Sequence, residues 1–218
     1  MTRKYVQLDQ PAGVPPLPLT GERTLPDVPE ENYWFRRHLA VYEWIAARVA
    51  GERVVDMACG EGYGSDVLAR SAASVVGVDA NPEAHEHAQD AGAILEHFNS
   101  MLAPGGGAYV STPNLLTLAP PGAEKSDNPW HVREYRAAEF RALCEAHFGR
   151  VELFGLFHAR KLRAHEIAIK LGWDRAHKAL RLTKPFYDRF TPAIAASDFA
   201  LRKGNLDRAL DFLAVCHV

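Results

Sequence analysis

Short β-branched apolar runs alternate along this chain with longer stretches in which apolar residues recur every three or four positions. Residues 54–59 (VVDMAC) and 75–78 (VVGV) are such runs, and each reads as a buried strand. Between them, residues 65–72 carry a helical pattern. Upstream, residues 31–50 (ENYWFRRHLAVYEWIAARVA) predict an amphipathic helix, with Tyr33, Trp34, His38, Tyr42 and Ile45 at spacings of mostly three and four. These aromatics either pack the helix onto a sheet or roof a ligand site. Downstream, residues 81–89 and 90–102 read as helices, 103–114 as turn, strand and polar loop, 137–147 as a helix and 151–157 as a strand. Residues 211–218 close the chain as a buried strand, with Phe212, Ala214 and Cys216 facing opposite to Leu213 and Val215. Strands alternating with helices predict an α/β fold built on a mostly parallel sheet with flanking helices.

Three glycines, Gly60, Gly62 and Gly64, stand at alternate positions where the first strand turns into its helix. A strand, a glycine turn and a helix start bring backbone close to a ligand where side chains would block it. Asp56 precedes the first glycine by four residues, and Asp79 ends the second strand. In doubly wound sheets ligands sit at the carboxyl ends of the strands, and an acid after the second strand holds ribose hydroxyls. The spacing G-x-G-x-G departs from the dinucleotide fingerprint G-x-G-x-x-G. A carboxylate just before the loop would repel a pyrophosphate, but it suits a nucleoside carrying an ammonium and a sulfonium.

The acid, glycine turn, helix and second acid together resemble motif I of the class I S-adenosylmethionine-dependent methyltransferases. That resemblance implies a Rossmann-like sheet, S-adenosyl-L-methionine as cofactor, and cofactor contacts from Asp56, Ala58, Gly60, Gly62, Gly64, Asp79 and Ala80. The stretch GERTLPDVPEENYWFRRH is similar to the N-terminal segment of actinobacterial methyltransferases associated with methylglucose polysaccharide biosynthesis. NPWHVRE, residues 128–134, resembles a segment of sugar-related methyltransferases. The implied reaction is O-methylation of a sugar or other small hydroxyl, with His131 as base and Glu134 orienting it. Imidazole suits deprotonation of a hydroxyl near neutral pH. The alternative is that His131, like Ser126 and Asn128, caps the start of the helix at 137. A degenerate binding or scaffold protein with the same fold is the other reading of the whole chain, and a nucleotide-dependent oxidoreductase is disfavoured by the glycine spacing.

Between residues 89 and 90 the pattern jumps. NPEAHEHAQ matches the helix after the family's second strand, and DAGAILEHFNSML already matches the helix before its fifth. The third strand, a helix and the fourth strand, about 30–40 residues at ordinary element lengths, have no counterpart. A natural deletion, an excision, or a join across omitted residues would each produce this. The fourth strand is central in the family, so its loss leaves unpaired edges unless the sheet closes up or another segment fills the slot.

Composition changes little. Of 218 residues 47% are hydrophobic and 24% charged, and a net charge of −2 gives no overall pull toward nucleic acid. Cys59, Cys144 and Cys216 lack metal-ligand spacing, and His85 and His87 point to different faces of their helix, so no metal is expected. With no apolar run of membrane-spanning length and no leader pattern, a cytoplasmic protein is expected. Residues 1–30 are proline-rich and read as an extended arm, and 31–218 as a single domain of methyltransferase type. Within it, 158–200 forms a helical, basic insertion. Residues 158–190 hold nine Lys or Arg against three acids, net +6. That run is either a solvated face or a lid and peripheral contact for an anionic or membrane-associated acceptor.

Overall fold

The computed structural model describes residues 4–5, 17–18, 24, 28–60, 62–79, 91–128, 131, 133–180 and 183–218. Ala80, the helix expected at 81–89 with His85 and His87, and the jump at 89–90 lie outside the described residues. In chain order the elements begin with β1 (Lys4–Tyr5), β2 (Leu17–Pro18), α1 (Asn32–Ala46), β3 (Arg53–Met57), α2 (Tyr63–Ala69) and β4 (Ser74–Val78). They continue with α3 (Ala91–Met101), β5 (Gly107–Pro113), α4 (Leu115–Leu118), α5 (Ala137–Glu145) and β6 (Arg150–His158). The last are α6 (Arg160–Lys170), α7 (Trp173–Leu180), α8 (Thr183–Phe190), β7 (Phe199–Arg202) and β8 (Asp211–His217). The mixed α/β class and most of the expected elements are present. They form two compact units: Met1–Val78 with Ala159–Asp198, and Asp79–His158 with Phe199–Val218.

In the first unit the arm is not simply extended, because β1 and β2 pair antiparallel with Tyr5 opposite Leu17. β3 and β4 pair in parallel, Val54 beside Val75 and Asp56 beside Gly77. The reading of both as buried strands holds for one face only. Asp56 is buried on the side covered by α1 and α2, whereas Val55 and Val76 are 53% and 57% exposed. A parallel strand pair reads as continuously apolar because helices normally cover both faces, and among the described residues only one face is covered. The expected stripe on α1 also needs correction: Phe35 is buried while Trp34 and His38 are exposed. Phe35 packs edge-on against Tyr63 with centroids 5.0 Å apart, and Trp34 lies against the Arg37 guanidinium. Buried Asn32 sets this rotation. Its amide donates to the carbonyls of Thr191 (2.8 Å) and Ile194 (3.0 Å) and accepts from Arg36 Nε at 3.1 Å, tying α1 to the chain after α8.

The second unit is a four-stranded sheet in the order β5-β8-β6-β7, with every neighbouring pair antiparallel. The segment expected as a helical insertion, 158–200, carries α6, α7 and α8 and then the 3-10 turn Ala196–Asp198 and the first residues of β7. β8 lies between β5 and β6 with both edges paired, and Phe212 to Cys216 are all buried. Phe140 of α5 stacks on Phe212, and Leu95, Cys144, Phe148 and Leu153 complete that core. β3 and β5, which a central strand would separate, belong to different sheets. Among the described residues the strands lie in separate sheets, and β3–β4 is the one parallel pair of named strands.

Candidate functional site

The turn after β3 depends on backbone geometry few residues adopt. Ala58, Gly60 and Gly62 have φ of 61°, 53° and 79°, in the left-handed region. A Cβ built on Gly60 or Gly62 would meet nothing within 4 Å, so the turn is open on that side. Gly64 does something else. A Cβ there would lie 2.2 Å from the Tyr42 ring, so this glycine lets α1 pack onto α2. Gly64→Ala is expected to push Tyr42 aside and cost about 1–3 kcal/mol, visible as a lowered midpoint in thermal melts.

Buried Asp56 is held at both oxygens. Tyr42 Oη donates to Oδ1 at 3.2 Å, and Ser65 Oγ donates to Oδ2 at 2.7 Å. Burial, and then the negative charge of Asp56, push the Tyr42 phenol well above its ordinary pKa, so it remains a donor. Burial likewise raises Tyr63, whose hydroxyl lies 3.3 Å from Thr24 Oγ1 and 3.4 Å from His38 Nδ1. Ser65 was not expected as a site residue, and Tyr42 only as one of the aromatics that either pack α1 or roof a ligand site. The sequence signal was only an aromatic on a helix face and a serine at a helix start. An ionised carboxylate has about four lone-pair sites, so Asp56 can accept a further donor from a ligand. A fixed carboxylate beside an open glycine turn fits a nucleoside bearing a cationic amine. Asp79 follows β4 directly and is exposed; Ala80 lies outside the described residues.

In the second unit Asn128, His131 and Glu134 of the NPWHVRE segment form a hydrogen-bonded cluster with Ser126. Glu134, its side chain fully buried, accepts from Ser126 N at 2.9 Å and from Ser126 Oγ, and contacts His131 Nδ1 at 2.7 Å. Burial opposes ionisation of Glu134, but the Ser126 and His131 hydrogen bonds outweigh it and hold its pKa below the usual glutamate value. With Nδ1–H donating to that carboxylate, the imidazole presents its Nε2 lone pair, which lies 3.1 Å from Asn128 Nδ2. None of these residues caps the next helix. α5 begins at Ala137, and the N–H of its N-cap Arg136 donates 2.8 Å to Glu139. The N-cap position of α5 is thus Arg136, and His131, 27% exposed, contacts the Glu134 carboxylate. Among the described residues no group of three or more His, Cys, Asp or Glu is placed to hold a metal ion.

The chain is 38% identical to a protein of Mycolicibacterium smegmatis named a probable S-adenosylmethionine-dependent methyltransferase, over 183 residues covering 67% of this chain and 71% of that one. A Mycobacterium tuberculosis protein with the same description is 35% identical over 184 residues, 67% of each chain. A stretch of 183 positions is longer than 67% of 218 residues, so the match includes gaps in this chain. No protein-family model matches. A methyltransferase structure from Mesorhizobium loti aligns with 81% of this chain and 98% of its own at TM-score 0.44 and 18% identity. On the identity and coverage of the mycobacterial relatives, the chain belongs to the S-adenosylmethionine-dependent methyltransferase family.

Proposed function

We propose that the chain methylates a hydroxyl oxygen of a saccharide or other small acceptor, of the kind found in methylglucose polysaccharides. The observation that carries this reading is the His131–Glu134 pair, an imidazole whose Nδ1 is fixed at 2.7 Å by a buried carboxylate. A hydroxyl is a poor nucleophile until its proton has an acceptor, and Nε2 of a neutral, oriented imidazole provides one. Glu134 holds the ring's tautomer and stabilises the imidazolium once the proton has moved. Asp56, Ala58, Gly60, Gly62, Gly64, Asp79 and Ala80 would hold S-adenosylmethionine, which when bound supplies the electrophilic methyl group. In this assignment Asp56 accepts from the amine and Asp79 accepts the ribose hydroxyls, while the backbone of the glycine turn approaches the ligand closely. The transfer is an in-line displacement, so positioning by these residues supplies most of the catalysis.

The test is transfer of labelled methyl from S-adenosylmethionine to a panel of saccharides and small alcohols. Label in an alkali-stable ether is the expected product; label only on carboxylates or amines overturns the reading. In the same assay Asp79→Ala is expected to weaken cofactor binding, measured by calorimetry, by about 1.5–3 kcal/mol, the range for a lost charge-assisted hydrogen bond. An unchanged affinity would remove Asp79 from the site.

A further inference from the structure

The basic segment after β6 exposes apolar residues that no solvated face requires. α6 turns Leu162 inward, and His165 packs against Phe186, Tyr187 and Phe190 of α8 at centroid distances of 5.7, 5.5 and 4.7 Å. The opposite face carries Arg163, Ile167 and Leu171 at four-residue spacing. Gly172, at φ 95°, reverses the chain there, and α7 starts with Trp173, edge-on to Phe186 at 5.8 Å. Ile167 is 50% exposed, Leu171 83% and Trp173 37%. On the same two helices Arg163, Lys170, Arg175 and Lys178 are all exposed. Two of the three acids in 158–190, Glu166 and Asp188, sit 2.6 and 2.7 Å from Lys170 and Lys184, four residues along their own helices.

We propose that the α6–α7 turn docks on an anionic lipid bilayer. Acyl chains take up Leu171, Ile167 and the exposed part of Trp173, while headgroup phosphates and carboxylates meet the surrounding cations. A second copy of this chain would set like charges against one another. A soluble polyanion would leave Leu171 in water. A surface that is apolar beneath and anionic on top satisfies both sets of residues. No helix among the described residues is long and apolar enough to cross a membrane, so the contact is peripheral.

The experiment is co-sedimentation of the full chain with vesicles of phosphatidylcholine alone and of phosphatidylcholine mixed equally with phosphatidylglycerol. Binding is expected to the mixed vesicles only, and to fall steeply as salt rises to about 0.5 M. Leu171→Glu is expected to reduce it about tenfold or more. The double variant Arg175→Glu/Lys178→Glu, which leaves the apolar tip intact, is expected to reduce it by a similar factor and to flatten the salt dependence. Both variants should melt like the parent, since the altered residues are exposed. The proposal is overturned if the mixed vesicles sediment no protein, or if Leu171→Glu binds as well as the parent. It is equally overturned if Leu171→Glu turns a dimer into a monomer without changing vesicle binding. None of these readouts uses methyl transfer, so they stand apart from the catalytic reading.

Discussion

His131→Ala is expected to lower methyl-transfer turnover by about 10²–10⁴-fold, the range for loss of a positioned general base, and to leave S-adenosylmethionine affinity nearly unchanged. The expectation rests on the ring's two nitrogens. Nδ1 is committed to Glu134 at 2.7 Å, and Nε2 faces Asn128 Nδ2 at 3.1 Å, the position an acceptor hydroxyl would take over. Glu134→Gln keeps a side chain of the same shape beside the ring but loses the charge that favours the imidazolium, so a smaller loss is expected. It also has a stability signature. The folded-state pKa of Glu134 is depressed, so its contribution is present above the unfolded value of 4.5 and is lost as pH falls through the lower folded value. The stability difference between parent and Glu134→Gln should therefore shrink below pH 4.5 and be constant above neutrality. Steady-state kinetics with calorimetric cofactor titration checks the first claim, and denaturant melts at several pH values check the second. Unaltered turnover in His131→Ala would reduce the histidine to a structural partner of Glu134.

Asn114→Ala is expected to destabilise the second unit by about 2–4 kcal/mol and to lower its melting temperature by about 10–20 °C. This side chain is fully buried at the end of β5. Its amide donates to the carbonyls of Leu206 (3.2 Å), Asp207 (3.3 Å) and Ala209 (2.8 Å), and its oxygen accepts from Leu116 N at 3.1 Å, capping α4. Alanine would remove the amide donor from one buried and two part-buried carbonyls and the acceptor from Leu116 N–H, and would leave a cavity. Asn114→Asp preserves the volume but sets a carboxylate against the three carbonyls, so it should do no better. A calorimetric scan in which either variant melts within a degree or two of the parent would show that water replaces the amide.

The sequence by itself determined what is local. Gly60 and Gly62 were legible as turn residues because a positive φ is a property of the residue and its neighbours. His131 and Glu134 could be paired because three residues of chain cannot hold them far apart. Element order and the mixed α/β class came from hydrophobic period, and most boundaries differed by a few residues. What the tertiary structure decided depends on which surface arrives from elsewhere in the chain. Tyr42 and Ser65 hold Asp56 only because α1 and α2 pack onto the same face of β3. Val55 and Val76 carry the period of a buried strand, yet burial needs a covering element, and none of the described elements covers that face. β8 reads as an alternating strand, yet Phe212 to Cys216 are all buried, its edges paired with β5 and β6 and its Phe212 face covered by α5. Asn114 looked like part of a polar loop. Its three carbonyl partners lie 92 to 95 residues further along, and only the fold brings them to it.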